Sequence, residues 1–464
     1  MEPLADLIAR LEADLIPKRN RTGQPAMQAK FTQGSIFKHV SVMTLASTAG
    51  LLSLFLVDLV DLYWLSLLGE VELAAAIGYA GSILFFTLSL CIGLSIGCGA
   101  LVSQSIGSGN IEQTRQLVGH IFTGILVLTA VVAAAVMFTV PWLLGLLGAT
   151  DRSLELAQAY ITIIIPSMPL MGIAMACSGV MRALGHAKES MYLTLLGGFV
   201  NAILDPLFIF GFNMGIEGAA TATVCARLAM VAYGCQRVFK AYGLFVRPHW
   251  AGFTQDISHY SHTALPAVLT NLSTPIGVAY ITAVMAQFGD SAVAGNAVVS
   301  KLQPLAFAGL FALSGSVGPI AGQNLGARLF SRIMETLKSS LLFTFGYCAL
   351  ACLILFLLTE FLVSAFNAEG QAALLIRVFC YGISLTSLFN GMTFVTNALF
   401  NNLRLATWAT GFNFAKATVF TMPFASLGGH WGGPVGVYVG VFIGAAIIGL
   451  TAVAVAYWKI KRLE

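Results

Sequence analysis

The sequence predicts an all-α integral membrane protein, with twelve transmembrane helices in two pseudo-symmetric six-helix bundles that form a central cleft. Three observations carry this. The 464-residue chain is 58% hydrophobic and only 9% charged, against about 25% charged in soluble domains. Apolar stretches long enough to cross roughly 30 Å of hydrocarbon recur along the whole chain, which calls for helices rather than the short alternating strands of a barrel. Finally, a weak internal repeat with a shift of 217 to 220 residues relates the first six stretches to the last six in the same orientation, which implies a pseudo-two-fold axis along the membrane normal.

The twelve stretches lie at 41–68, 71–104, 118–148, 156–180, 190–212, 218–240, 262–288, 291–322, 338–366, 371–399, 405–427 and 433–458. Before them, residues 1–35 mix acids and bases and lack the apolar core of a secretory signal. Leu4, Ile8, Leu11 and Leu15 mark one stripe of a short amphipathic helix, expected in the cytoplasm or on the inner membrane surface. The expected organisation is this segment, an N-lobe over 36–240, a polar cytoplasmic linker over 241–262 and a C-lobe over 263–464 with a short basic tail. Short basic loops stay cytoplasmic, and with both termini inside, nineteen of the 24 Lys and Arg fall on that side. Residence in the inner (plasma) membrane follows. The eight cysteines lie within or beside spans without disulfide or zinc spacing, and read as small packing residues.

Three pairs of segments carry the repeat. "LGEVELAAA" (68–76) answers "FGDSAVAGN" (288–296), "SQSIGSGN" (103–110) answers "GQNLGARL" (322–329), and "LDPLFIFGFNMG" (204–215) answers "TMPFASLGGHWG" (421–432). The repeat is an internal control, because what the architecture needs should appear twice. Pro206 recurs as Pro423, whereas Asp205 is matched by Met422 and Asp61 by Ile281. The proline therefore reads as architectural and the acids as special to the first lobe.

Asp58 and Asp61 share a face of the first helix at spacing three, and Asn201 and Asp205 share a face of the fifth at spacing four. Counting about 1.5 Å per residue from the span ends places Asp61, Asp205 and Thr223 in one outer layer. A carboxylate at a helix centre costs at least about 2.5–3.5 kcal/mol on insertion scales, so it faces a cavity or a partner. Burial and a neighbouring acid both favour the neutral form of a carboxyl, the behaviour a proton carrier needs. A pair that carries a proton in one conformation and binds a cation in the other is the expected device. Arg227, Lys301 and Lys416 are candidate cleft charges, although long basic side chains also snorkel or neutralise acids, and Arg227 is a candidate ion-pair partner for Asp205.

"VDLYWLSLLGEVELAAAIG" (60–78), "VSQSIGSGN" (102–110), "MRALGHAKES" (181–190) and "NAILDPLFIFGFNMGIEGAATATV" (201–224) resemble the multidrug and toxic compound extrusion (MATE) transporters over nearly the whole chain after residue 35. The resemblance implies an antiporter that exports organic, often cationic, compounds against an inward flow of H⁺ or Na⁺. It further implies that Asp61, Asn201, Asp205 and Thr223 form the ion- and proton-coupling cluster, with Asp58 beside them and any Na⁺ held at Asp61, Asn201 and Asp205. The acids that the NorM-like branch carries in helices 7 and 10 have no counterpart here, which favours the DinF-like branch. Two positions depart from the family pattern: Ala46 stands where helix 1 often has the proline kept in the second lobe as Pro266, and Ser178 stands where a helix 4 asparagine is expected. Small cationic or amphipathic substrates and the bilayer are the implied partners. A monomer is expected, with no nucleic acid, no cofactor beyond the coupling ion and no further metal.

A lipid-linked oligosaccharide flippase of the same superfamily is the alternative, but the cationic cavity expected for pyrophosphate is not evident from three scattered bases. An enzyme is disfavoured. "GLSIG" (93–97) matches G-x-S-x-G, but that pattern needs a strand-to-helix turn, and here it sits inside an apolar helix. The seven histidines read as lying outside the span interiors, with His186 and His430 in loops.

Overall fold

The computed structural model describes residues 29–66, 71–244, 250 and 252–463. The first lobe comprises α1 (Ile36–Ser66), α2 (Val71–Gly107), α3 (Ile111–Leu146), α4 (Asp151–Ala183), α5 (Ala187–Gly211) and α6 (Gly215–Ala241). The second comprises α7 (Phe253–Ala286), α8 (Asp290–Ala306 and Ala308–Gly326), α9 (Phe330–Ala365) and α10 (Gly370–Tyr381 and Ile383–Asn402), then α11 (406–431) and α12 (434–461). Helices of 31 to 37 residues are about 46–55 Å long, so they project beyond a hydrocarbon core of about 30 Å. Residues 1–28, the candidate amphipathic segment, lie outside the described residues.

The last two crossings form one unbroken run, Ala406–Lys461, reversed by a single pair of glycines. Gly432 (φ −132°, ψ 18°) and Gly433 (φ 58°, ψ −150°) make the turn, and the second conformation is essentially reserved for glycine. Pro434 then starts α12 with its φ already set for helix. Below the turn the backbones touch: a Cβ on Gly436 would lie 2.0 Å from the Gly428 carbonyl oxygen, and one on Gly440 1.9 Å from that of Phe424. Glycines at four-residue spacing thus let two antiparallel helices pack without side chains between them.

Pseudo-symmetry extends to the irregularities. In α4 a 3₁₀ turn at Ile165–Ser167 breaks the helix, and α10 is broken by one at Ile383–Leu385, within the shift that relates the two halves. Helix α5 carries a π-helical segment at Leu207–Gly211 after Pro206, and α11 has one at Lys416–Thr421 before Pro423. Each proline removes one hydrogen-bond donor from its helix, and the adjacent π turn absorbs the mismatch. The repeat is imperfect at α8, which bends by 45° after Ala306, while its counterpart α2 runs through.

The lobes meet at the end that carries Phe31 and Ile460. There Gly107 and Gly326 sit against the Gln323 and Gln104 carbonyls, with no room for a Cβ at either glycine. Gln104 Nε2 donates to the Asn402 carbonyl (3.0 Å), and Gln323 Nε2 donates to the Ala183 carbonyl (2.7 Å). Residues 29–35 cross this junction as a strap. Phe31 is buried, its N–H donates to Gln323 Oε1 (2.9 Å), and its carbonyl accepts from Arg332 Nη2 (2.8 Å), which also donates to the Gly34 carbonyl (3.0 Å). Further along, α2 and α7 are in backbone contact, with Gly93 against Val268 and Gly97 against Ala264. The outer halves of α8 and α10 pack on elements of their own lobe, which leaves the cleft between the lobes at the opposite end.

Two glycine substitutions separate lobe folding from lobe closure. Gly440→Leu forces α11 and α12 apart and costs about 1–3 kcal/mol, read as a lower unfolding temperature in detergent. Gly326→Leu leaves that temperature nearly unchanged but raises hydrogen exchange at residues 103–107 by about tenfold or more, the signature of local opening.

Candidate functional site

Within the first lobe, Asp205 and Asn201 stand one turn apart on α5, 1% and 6% exposed, and Asn201 Nδ2 donates to Asp205 Oδ2 (2.9 Å). The π segment starts two residues beyond Asp205. Its backbone at Phe208 and Ile209 touches Gly218 of α6, and lower down Gly197 meets Met230 and Gly234 meets Leu193. These contacts set one antiparallel register along the helix pair. It puts Thr223 level with Leu204, in the same layer as Asn201 and Asp205. The Thr223 hydroxyl is half-buried and donates to the Ala219 carbonyl of its own helix (3.1 Å), which leaves its lone pairs as acceptors in that layer. Asp58 and Asp61 fall on α1, but their side chains lie outside the described residues.

Three other candidates stand away from this cluster. The Arg227 guanidinium is not shown on Asp205: its Nη1 donates to Ser167 Oγ (2.9 Å) and to the Ile164 carbonyl (3.3 Å). It therefore caps the 3₁₀ break of α4. Ser178 accepts from Arg182 Nη1 (2.5 Å) and bonds Ser190 (2.7 Å). Ser190 is fifteen residues from Asp205 on α5, or about 22 Å along the helix, so Ser178 is not a ligand of the acid cluster. Lys301 is exposed on α8. Ala46 lies inside the uninterrupted helix α1, whereas in the second lobe the carbonyl of Pro266 accepts from Thr270 (2.8 Å) and from Thr410 of α11 (2.8 Å).

A second site was not legible as a site from the sequence. A cavity of about 310 Å³ lies inside the second lobe between α7, α8, α10, α11 and α12. Lys416 is the one charged residue among the described residues of its lining, and its Nζ donates to Asn390 Oδ1 (2.6 Å). Tyr438 OH donates to Asn296 Oδ1 on another wall (3.2 Å). The signal available beforehand was the lysine itself, but the amides that frame it look like ordinary helix-packing residues.

His120 is a buried histidine that the sequence did not single out. It is 2% exposed in α3, and its Nδ1 lies 2.7 Å from Asp256 Oδ2 at the start of α7, a tie between the lobes. Beside the strap, Glu189 and Arg237 form a bidentate pair (2.7 and 2.8 Å) joining α5 to α6, and Lys30 Nζ reaches His186 Nε2 (3.0 Å). Among the described residues no group of three His, Cys, Asp or Glu is placed to hold a metal ion.

The fold and these sites define a multi-pass membrane protein of two repeated six-helix lobes, each with buried polar groups in its interior. Residues 47–207 and 266–427 match the MatE family model, each match running from the first to the fifth helix of one lobe. The chain belongs to the MatE family of transporters. It is similar to the "FAD transporter" of Shewanella oneidensis, at 26% identity over 430 residues that cover 91% of this chain and 93% of that one. It is also similar to the "probable multidrug resistance protein YpnP" of Bacillus subtilis, at 25% identity over 438 residues, covering 93% and 97%. The Vibrio cholerae MATE transporter VcmN in its bent form superposes with a TM-score of 0.87 at 27% identity, over 92% of this chain and 97% of that one.

If Arg227 is a brace for α4, Arg227→Met costs about 1–3 kcal/mol through the two bonds it loses. The Arg227→Met/Ser167→Ala double variant should then cost little more than Arg227→Met alone in thermal unfolding, because the interaction is already gone.

Proposed function

We propose that the protein is a secondary antiporter that exports small organic compounds, cations among them, in exchange for H⁺ or Na⁺ by alternating access. The observation that carries this reading is the buried Asn201–Asp205 pair on a helix softened by Pro206 and the π segment, in a lobe whose repeat has Met422 at the matching position. An acid that the architecture does not require, kept inside the membrane at a cost, is best accounted for by a charge that must change during the cycle.

In this reading Asp205, with Asp61, holds the coupling ion. Protonation removes the negative charge, a bound cation neutralises it, and the two states favour different lobe arrangements. Asn201 fixes the Asp205 carboxyl with its amide donor, and Thr223 offers an acceptor at the same depth. Asp58 tunes the pair. The lack of acids in α7 beyond Asp256 in its first turn, and in α10, supports coupling of the DinF-like kind. The printed names of the relatives, multidrug resistance and FAD transport, support small organic molecules as cargo. The bias of Lys and Arg toward one side supports cytoplasmic termini; the end closed by Gln104, Gln323 and the strap is then cytoplasmic and the cleft opens outward.

Liposomes containing the protein test this with a fluorescent organic cation and an imposed pH or Na⁺ gradient. Wild type moves the probe when one of the gradients is applied, which also identifies the ion. Asp205→Asn and Asp61→Asn reduce transport to the rate seen without a gradient while unfolding normally. Gradient-driven transport of wild-type speed in both variants overturns the coupling role.

A further inference from the structure

We propose that the cavity of the second lobe binds a carboxylate or phosphate group carried on an aromatic or apolar body, with Lys416 as the counter-charge. The internal repeat motivates this as much as the cavity does. Asp205 lies on α5 and Lys416 on α11, its partner helix in the repeat. The position in the first lobe that matches Lys416 is Phe199, 66% exposed. The architecture therefore needs no cation at this place on the helix. On this pair of helices the first lobe carries an acid where the second has Met422, and the second carries a base where the first has Phe199.

The surroundings of Lys416 suit an anion. No Asp or Glu is among the described residues that line the cavity, so none of these gives the ammonium a fixed counter-charge. A lysine nitrogen only donates, so the contact to Asn390 engages that residue's carbonyl oxygen and leaves its NH₂ as a donor. Thr386, on the same cavity wall, has a buried hydroxyl with no hydrogen-bond partner among the described residues. It lies one residue past the 3₁₀ break of α10. In the first lobe the equivalent break is capped by Arg227, whereas here the polar atoms border open space. Ammonium, amide and hydroxyl thus form a set of donors for one oxyanion, and charge-assisted bonds of this kind are the strong ones. Phe311, Phe379 and Phe394 supply an apolar wall for the rest of the ligand, and the volume is at the lower end of small-molecule sites.

The Lys416 ammonium also begins the π segment of α11. A ligand there bears on the helix that mirrors α5, so occupancy of the second lobe and ion occupancy of the first act on equivalent elements. The inference concerns equilibrium binding and is read without any gradient, so its failure and failure of the antiport reading are distinct.

Binding of naphthoate, an intrinsically fluorescent aromatic carboxylate, to the purified full chain in phosphatidylcholine nanodiscs tests the proposal, with naphthamide and naphthylmethylammonium as neutral and cationic matches. Wild type is expected to prefer naphthoate to both by about tenfold or more. Lys416→Met should remove that preference while naphthamide still binds, which shows the cavity intact, and Lys416→Arg should keep much of it. In nanodiscs containing phosphatidylglycerol, loss of naphthoate binding in wild type assigns the same oxyanion chemistry to a lipid headgroup, and unchanged binding assigns it to a free solute. Equal affinity for naphthoate and naphthamide in wild type, or a naphthoate preference that survives in Lys416→Met, overturns the proposal.

Discussion

The close approach of backbone to backbone where the lobes meet is the constraint on which the rest of the structure depends. Lipid gives no hydrophobic reward for bringing two apolar helices together, so association rests on close packing and hydrogen bonds. Gly107 and Gly326 each face a carbonyl of the opposite lobe, and Gln104 and Gln323 bond across the same junction. The strap at Phe31 and Arg332 covers it. Such a junction is two-sided. It is tight when closed, yet small residues and neutral hydrogen bonds leave no large apolar face exposed when it parts. The cleft at the opposite end follows from closure at this one.

Inside the lobes the same chemistry serves different ends. Prolines and 3₁₀ breaks free backbone groups, and each must find a partner or face a polar space. In the first lobe Arg227 fills one such break and the Asn201–Asp205 pair lies just before the other irregularity. In the second lobe the corresponding break and π segment border a cavity that holds Lys416 and Asn390. Opposite charges at related places give the lobes different binding preferences on one scaffold, so an ion in one and an organic group in the other need not compete for a single site.

Much of the fold was legible in the sequence because the bilayer demands long apolar helices and the repeat counted them twice. The turn between α11 and α12 falls at the break expected between 427 and 433, and its glycine-reserved conformation explains why Gly432 and Gly433 stand there. Less was legible in the sites. Asp205 stood out because the repeat sets Met422 at its matching position, helical spacing put Asn201 on its face, and the Thr223 register then follows from the small residues of α5 and α6. Arg227 was a candidate partner for Asp205 on depth alone, and depth in the membrane does not say which neighbour a long side chain reaches; its bonds go to Ile164 and Ser167 of α4, some sixty residues earlier. Ser178, where the family pattern expects an asparagine, bonds Arg182 and Ser190 toward the other end of the lobe. His120 was missed because its partner Asp256 lies in what read as linker, while the structure starts α7 at Phe253. The cavity around Lys416 depends on three-dimensional packing of five helices, and no linear pattern marks it.

The central claim is that the charge state at Asp205 governs whether the junction between the lobes is closed. Spin labels at Ser108 and Arg328, exposed positions beside that junction, report it directly through their distance distribution in a background with the native cysteines replaced. The account predicts one short, narrow distance in one ionic condition and a second, longer population when pH or Na⁺ is changed, with that response absent in Asp205→Asn. A distribution that shifts equally in wild type and in Asp205→Asn, or in neither, would contradict it.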